Sequence, residues 1–286
     1  MKARGIVQRV VAILALAVLA LAAVQLLVKD DPSFGGHRLN YWLRQSIASH
    51  RSPFELRLTQ DAANAVRALG TNAIPPLLTR MRSPYSAGGR RAAALEWLGA
   101  HRLAELSTFL WPKSYQPING VLGFEALGSR GAPAIPALVQ MLSNPEDRAF
   151  AEKALVAIGP EGMEALRQVL RTNSNQVLRA NVLLSLPITP VLSRDNSLAQ
   201  LVATPLIEDL DPMVRTSAAQ VLGAFTNLPD VAVPGLARAV SDKDGAVRSA
   251  AADALLRFPA ARLPGAVPAV IRTDGPGETS NRSPDR

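Results

Sequence analysis

An eight-residue phrase recurs along this chain and constrains the fold more than any other feature. It reads RAAALEWL from Arg91, RANVLLSL from Arg179, RTSAAQVL from Arg215 and RSAAADAL from Arg248. Each copy places a leucine seven residues after its arginine, about two turns of an α-helix, so that both side chains project from one face. Self-similarity of this kind predicts a stacked array of helical repeats.

The two clearest copies share a stripe of apolar positions. The stripe has offsets of 0, 4, 7, 8 and 11, which are typical of one face of an amphipathic helix. Its members are Val214, Ala218, Val221, Leu222 and Phe225 in one copy, and Val247, Ala251, Ala254, Leu255 and Phe258 in the other. Asp211, Asp244 and Asn175 stand four residues before the three later arginines. Their side-chain types predict helix N-caps.

Weaker copies of the phrase fill the rest of the chain and end on Gly70, Gly128 and Gly159, where glycine can close a helix with a positive φ. A second helix is expected to open on Ala-x-Pro, because proline is tolerated in the first helical turn. This opening recurs at Ala73, Ala134, Ala203, Ala232 and Ala266. We therefore predict an all-α fold, an α-solenoid of six to seven helical hairpins.

These residues resemble HEAT repeats, in the short form also seen in the bilin-lyase (PBS lyase) branch, over roughly residues 61–272. The consensus of Asp, Val-Arg, Ala and Leu-Gly is matched from Asp211 to Gly223, and again from Asp244 to Leu255. In that family the aspartate and arginine commonly form a ladder of hydrogen bonds between successive hairpins. The resemblance therefore implies structural roles for Arg179, Asp211, Arg215, Asp244 and Arg248. The unit at Arg91 departs from the pattern, because no acidic residue lies four positions before it.

The N-terminus carries a candidate membrane segment. Lys2, Arg4 and Arg9 precede nineteen residues, Val10 to Val28, in which Gln25 is the one polar side chain. As a helix this segment would be about 28 Å long, close to the thickness of the bilayer hydrocarbon. A cleavable signal peptide is the alternative, but the apolar run continues past the Ala20-Leu21-Ala22 site and favours an uncleaved, single-pass anchor. Both interpretations place the repeats on the periplasmic or extracellular side, or release them there.

The sequence thus divides into residues 1–30 as signal anchor, 31–60 as linker and capping helix, 61–272 as solenoid, and 273–286 as disordered tail. Residues 35–47 are predicted to form an amphipathic helix that covers the first repeat. This segment resembles the G-K-x-L-S-Y-W-L type that precedes HEAT arrays in some bacterial membrane proteins. It could instead dock a partner through Tyr41 and Trp42. Two proline-containing stretches, residues 111–120 and 187–197, are expected to be irregular.

A candidate partner surface follows from the row of second helices, where solenoids usually bind. The polar position after the apolar run carries no consistent charge, and its members include Gln140, Gln168, Asp209 and Arg238. Together with Tyr41 and Trp42 these are the candidate partner-binding residues. A solvated face without specific function is the alternative interpretation.

Catalytic and nucleic-acid functions find little support in the sequence. The three histidines stand in no HExxH motif, and no phosphate-binding or nucleophile-elbow glycine motif is present. The net charge is +8, of which residues 1–30 account for +3, and no basic arm is found. We therefore expect no catalytic residue, cofactor or metal, and we expect a membrane-anchored scaffold that binds a protein partner. A bilin-lyase-like or other HEAT-type enzyme and a nucleic-acid binder are the alternatives.

Overall fold

The computed structural model describes residues 31–49, 52–82, 117–186 and 192–259. Its contacts form two compact units, divided between Gly162 and Met163. The described chain is mainly helical, as the repeat pattern predicts. The predicted anchor at residues 1–30, the repeat at Arg91 and the predicted tail at residues 273–286 lie outside the described residues.

The described part of unit 1 begins with a short antiparallel pair, β1 (Ser33–Phe34) and β2 (His37–Arg38), followed directly by helix α1 (Leu39–Leu43). Gly35 and Gly36 form the turn with φ of 57° and 78°, values that L-residues with a side chain rarely adopt. The prediction of one helix over residues 35–47 is therefore wrong at both ends. At the first end the glycine pair favours a hairpin turn over a helix, and at the other the helix ends at Leu43.

A second antiparallel pair, β3 (Ser46–Ser49) and β4 (Ser52–Leu58), follows in the segment that we predicted to be a linker. These two short strand pairs precede the helices of an otherwise helical chain, in the part that the structure describes. A period-2 signal is present in the sequence, since Phe54, Leu56 and Leu58 alternate with Glu55 and Arg57. Alternation of this kind is typical of a strand.

The helices of unit 1 form hairpins joined by short 3₁₀ turns. They are α2 (Gln60–Leu69), α3 (Ile74–Met81), α4 (Pro117–Leu127), α5 (Ile135–Met141) and α6 (Pro145–Ile158); α7 (Pro160–Thr172) crosses the division between the units. Gly70, Gly128 and Gly159 have positive φ, which confirms the predicted glycine closures. At Gly70 and Gly159 ψ is −135° and −139°, so these glycines occupy a region that side chains disfavour more strongly than the left-handed helical one.

Helix α4 lies at the centre of unit 1 and packs against α2, α3 and α6. Its apolar residues cover most of its circumference, as expected for a helix buried on several sides. A Cβ atom at Gly120 would collide with Met81, and one at Gly123 with Leu77. The close approach of α4 to α3 therefore requires glycine at both positions. The stretch at residues 111–120, predicted to be irregular, is helical in its last four residues, since α4 begins at Pro117.

Unit 2 contains two layers of helices. The first layer consists of α8 (Gln176–Ser185), α10 (Pro212–Leu222) and α12 (Gly245–Leu255), and the second includes α9 (Asn196–Glu208) and α11 (Pro229–Ala239). Within each layer successive helices pack side by side. Between the layers, α9 packs on α10, and α11 packs on α10 and α12. This is the arrangement expected of stacked helical hairpins.

The stripe that the sequence predicts lies in the core of unit 2. Its ten members are buried, apart from Val221, which is half-buried. The proposed Ala-x-Pro openings are confirmed for α3 and α5, whereas Pro205 and Pro234 lie inside α9 and α11. Those two helices begin earlier, at the Asp195 cap and at Pro229. In the part of the chain that the structure describes, no helix is both long and apolar enough to cross a bilayer.

Candidate functional site

The first-layer helices of unit 2 begin at capped N-termini. Asn175 accepts a hydrogen bond from the amide of Leu178, Asp211 from that of Met213, and Asp244 from the amides of Ala246 and Val247, with N···O distances of 2.8–3.2 Å. Each bond satisfies an amide of the first turn that has no acceptor within the helix. The predicted N-caps are confirmed.

Two arginines of this layer bind carboxylates of the next hairpin. The Nε and Nη2 atoms of Arg179 donate to both oxygens of Asp209 at 2.9 and 2.8 Å. Arg215 binds Asp242 in the same way, with both distances 2.8 Å. The planar guanidinium fork matches the two carboxylate oxygens, which makes these among the stronger hydrogen bonds available to a protein.

Each arginine also fixes the loop that precedes its own helix. The Nη1 atom of Arg179 donates to the carbonyl of Asn173, and that of Arg215 to the carbonyls of Asp209 and Leu210. One guanidinium therefore joins the loop before its own hairpin to the loop before the next hairpin. We call the two bidentate pairs, Arg179–Asp209 and Arg215–Asp242, the arginine ladder.

The ladder uses different aspartates from those that the resemblance implies. Asp211 and Asp244 cap helices, while the carboxylates two residues earlier bind the arginines. The amides of Asp211 and Asp244 donate in turn to Asp209 and Asp242, both at 2.9 Å. Asp209, which we placed on the candidate partner surface, is thus reassigned to the ladder, because both of its oxygens are engaged inside the unit.

The side chains of the ladder are largely buried, and burial strengthens the attraction between their opposite charges. In the second pair the side chains of Arg215 and Asp242 are 6% and 15% exposed. The hydrogen bonds from Arg215 hold the pKa of Asp242 below its usual range, although burial opposes this shift. The hydrogen bonds to Asp209 and Asp242 likewise raise the pKa of Arg179 and Arg215. Arg215 and Asp242 therefore stay ionised over the whole range of physiological pH.

Arg248 occupies the same place in α12 but has a different set of partners. Its Nη1 atom donates to the carbonyls of Asp242 and Lys243, which repeats the loop contacts of Arg215. Within the described residues, its Nε and Nη2 atoms bind no carboxylate. In unit 1 Arg148 follows the cap Asn144 at the same spacing, and its Nε atom donates to the carbonyl of Leu142 at 2.9 Å.

The remaining candidate partner residues lie at the surface. Gln140 on α5, Gln168 on α7 and Arg238 on α11 are exposed, and so is Tyr41 on α1, whereas Trp42 is half-buried. Their role in binding stays a prediction. The described ranges contain no group of three acidic, histidine or cysteine side chains placed to hold a metal ion.

Unit 2 exposes a group of apolar side chains that the sequence patterns did not predict. Leu210 is 91% exposed and Met213 is 51% exposed, and Val177 and Ile207 are about half exposed. Val177 and Met213 both stand two residues before a ladder arginine, so the repeat alignment could have identified this pair. Since Arg179 holds the loop at Asp209, the first turns of α8 and α10 and the end of α9 come together at one end of the helices. We call Val177, Ile207, Leu210 and Met213 the apolar edge.

Comparison with protein-family models finds HEAT repeats at residues 163–256 and 199–273. The matched residues include the ladder, the N-caps and the apolar edge of unit 2. Neither the curated proteins nor the solved structures that were compared contain a match to this chain. Residues 163–273 are thus similar to HEAT repeats, and the repeated caps and the two-layer packing of unit 2 agree with that similarity.

Proposed function

We propose that the protein is a non-catalytic scaffold that binds a protein partner through the HEAT-repeat surface of unit 2. The apolar edge carries this proposal. Soluble proteins rarely expose several large apolar side chains together, and such patches mark interaction sites. Here all four lie at one end of the hairpins, beside a loop that the ladder fixes.

The ladder supports binding because it holds the edge in place before a partner arrives. Leu210 stands in a loop of three residues between α9 and α10, and its carbonyl accepts from Arg215. A loop fixed in this way loses less conformational entropy on binding than a mobile one, and the saving appears as affinity. The exposed side chain of Leu210 is thus displayed on a rigid backbone.

The affinity at stake can be estimated from the side chains. Fully burying a leucine or methionine contributes roughly 1.5–3 kcal/mol. Leu210 would gain most of this amount, and Met213 about half. Loss of both side chains should then weaken binding by at least about tenfold, since each 1.4 kcal/mol corresponds to a factor of ten.

We further propose that residues 1–30 anchor the scaffold in the membrane, with the repeats on the periplasmic or extracellular side. The support for this part is the sequence alone: three basic residues followed by nineteen residues with a single polar side chain. The basic residues should remain on the cytoplasmic side. Protease added to spheroplasts would digest the repeats in this topology and spare them in the opposite one.

The binding role is tested by cross-linking and quantitative pull-down from native membranes with tagged full-length protein. The test variant is Leu210→Ser with Met213→Ser, and the matched control is Leu256→Ser, which removes an exposed leucine at the end of α12. We expect an envelope protein to be captured by the wild type and the control, and at least about tenfold less by the double variant. Equal capture by all three proteins would refute the proposal that the apolar edge binds the partner. If the wild type reproducibly captured no protein, the proposed scaffold function would be refuted.

A further inference from the structure

Three aromatic rings form a cluster at the beginning of unit 1. His37 stacks on Tyr41 with ring centroids 3.9 Å apart, and Trp42 meets both rings edge-on at 5.5 and 5.1 Å. Trp42 also donates its Nε1 hydrogen to the carbonyl of Phe34 at 3.2 Å. The β1–β2 hairpin and helix α1 are thereby held together as one small module.

One face of this module is fixed to the rest of unit 1. Leu39 and Leu43 are fully buried, and α1 packs on α2. Asp31 accepts from the amide of Asn40 and from Arg80 of α3, both at 3.0 Å. These contacts determine which side chains of the module face outward.

The outward side chains are apolar or aromatic with polar tips. Phe34 and Tyr41 are each 45% exposed, and His37 is exposed as well. We call Phe34, His37 and Tyr41 the aromatic patch. Arg44, at the end of α1, adds an exposed positive charge. Amphipathic rings beside a cation are the side chains that concentrate at the boundary between lipid headgroups and acyl chains.

We infer that the aromatic patch inserts into the headgroup layer of the membrane that holds the anchor. This inference rests on the proposed anchoring by residues 1–30. Three peptide units join Val28, the last residue of the apolar run, to Asp31. They reach about 10 Å at most, because a residue spans roughly 3.3–3.6 Å. The polar layer on each side of the hydrocarbon is of order 5–8 Å thick, so the module begins within or directly beside it.

The position of the patch favours lipid over a peptide partner. A peptide would have to compete with headgroups that the tether already holds next to the rings. The indole hydrogen of Trp42 is bonded to Phe34 inside the module, so this ring needs no polar partner from outside. Inserted aromatic side chains would also fix the angle at which unit 1 leaves the membrane.

Site-directed spin labelling tests this inference on the full-length protein. The chain contains no cysteine, so Ser33→Cys gives a single label beside intact aromatic residues. The protein is reconstituted into vesicles of phosphatidylcholine and phosphatidylglycerol, and collisions of the label with oxygen and with a water-soluble nickel complex are compared. We expect oxygen to dominate at Ser33, as it does in lipid. In the Phe34→Ser, Tyr41→Ser variant this preference should be lost, while the helical circular dichroism signal of this variant shows that the repeats remain folded.

The control carries Leu210→Ser and Met213→Ser on the same labelled background and should keep the oxygen preference. A label that is exposed to the nickel complex in otherwise wild-type protein, while the protein resists carbonate extraction, would overturn the patch but leave the anchor intact. An oxygen preference that survives loss of both rings would show that the tether alone sets the depth and would also overturn the patch. Release of the protein by carbonate would refute the anchor, and this inference with it.

Discussion

Replacing Arg215 by alanine is expected to destabilise unit 2 much more than the same replacement of Arg248. Both guanidinium groups bind two loop carbonyls, but among the residues that the structure describes only Arg215 also binds a carboxylate. Breaking a buried ion pair costs about 3–5 kcal/mol, because the remaining charge stays buried without its partner. Asp242 is 15% exposed and keeps the amide of Asp244, so we take the lower end of this range for Arg215→Ala.

The expected loss for Arg248→Ala is about 1 kcal/mol, the net value of its hydrogen bonds to the loop. Arg215→Lys should fall between the two alanine variants, since lysine retains the charge but not the bidentate geometry. The assay is urea unfolding of the full-length protein in mild detergent, followed by the helical circular dichroism signal. Comparing urea midpoints at a common slope gives the differences in free energy of unfolding.

A double-mutant cycle with Asp242→Ala isolates the ion pair from the loop contacts. We expect Arg215 and Asp242 to be coupled by about 2 kcal/mol, within the range for residues that share a buried network. Equal losses for Arg215→Ala and Arg248→Ala would refute the reasoning, because the fork would then contribute nothing beyond the carbonyl contacts. A coupling energy near zero would refute it equally.

Two further predictions concern pH and close packing. Because the pKa of Asp242 is lowered in the folded state, its stabilisation is fully present above its unfolded pKa of about 3.9 and is lost as pH falls toward the folded value. The urea midpoint should therefore fall in acid for the wild type and fall less for Asp242→Asn. If the two proteins showed the same dependence of the midpoint on pH, the proposed contribution of the Arg215–Asp242 pair would be refuted. Gly162→Ala should cost about 1–3 kcal/mol, since its Cβ would collide with the Leu155 carbonyl, whereas Gly235→Ala has room and should stabilise α11 by up to about 1 kcal/mol. The opposite order of thermal midpoints would disprove the close contact.

Much of unit 2 could be predicted from short stretches of sequence. The caps at Asp211 and Asp244 and the buried stripe from Val214 to Phe225 depend on neighbours within about three helical turns. Such features follow from helix periodicity and from the need to satisfy amides of the first turn. The same local logic was insufficient at residues 35–47, where the glycine turn outweighed the apolar spacing that indicated a helix.

The candidate site was less predictable because exposure is a tertiary property. The sequence around Leu210 does not distinguish it from a buried leucine, yet its side chain is almost wholly exposed in the structure. Conversely, Asp209 follows an apolar run as a surface residue would, but it is bound by the guanidinium of Arg179, thirty residues earlier in the chain. Burial of each depends on which hairpin packs next to it.

The sequence by itself determined that this chain forms capped, amphipathic helices in repeated pairs, because those properties depend on residues within a few helical turns of one another. Only the tertiary structure decided which carboxylate each arginine binds. Both candidate aspartates, at positions 209 and 211 or at 242 and 244, lie close together in sequence, and both suit an arginine chemically. The side-by-side packing of α8, α10 and α12 places the earlier one in front of the fork and leaves the later one to cap the helix.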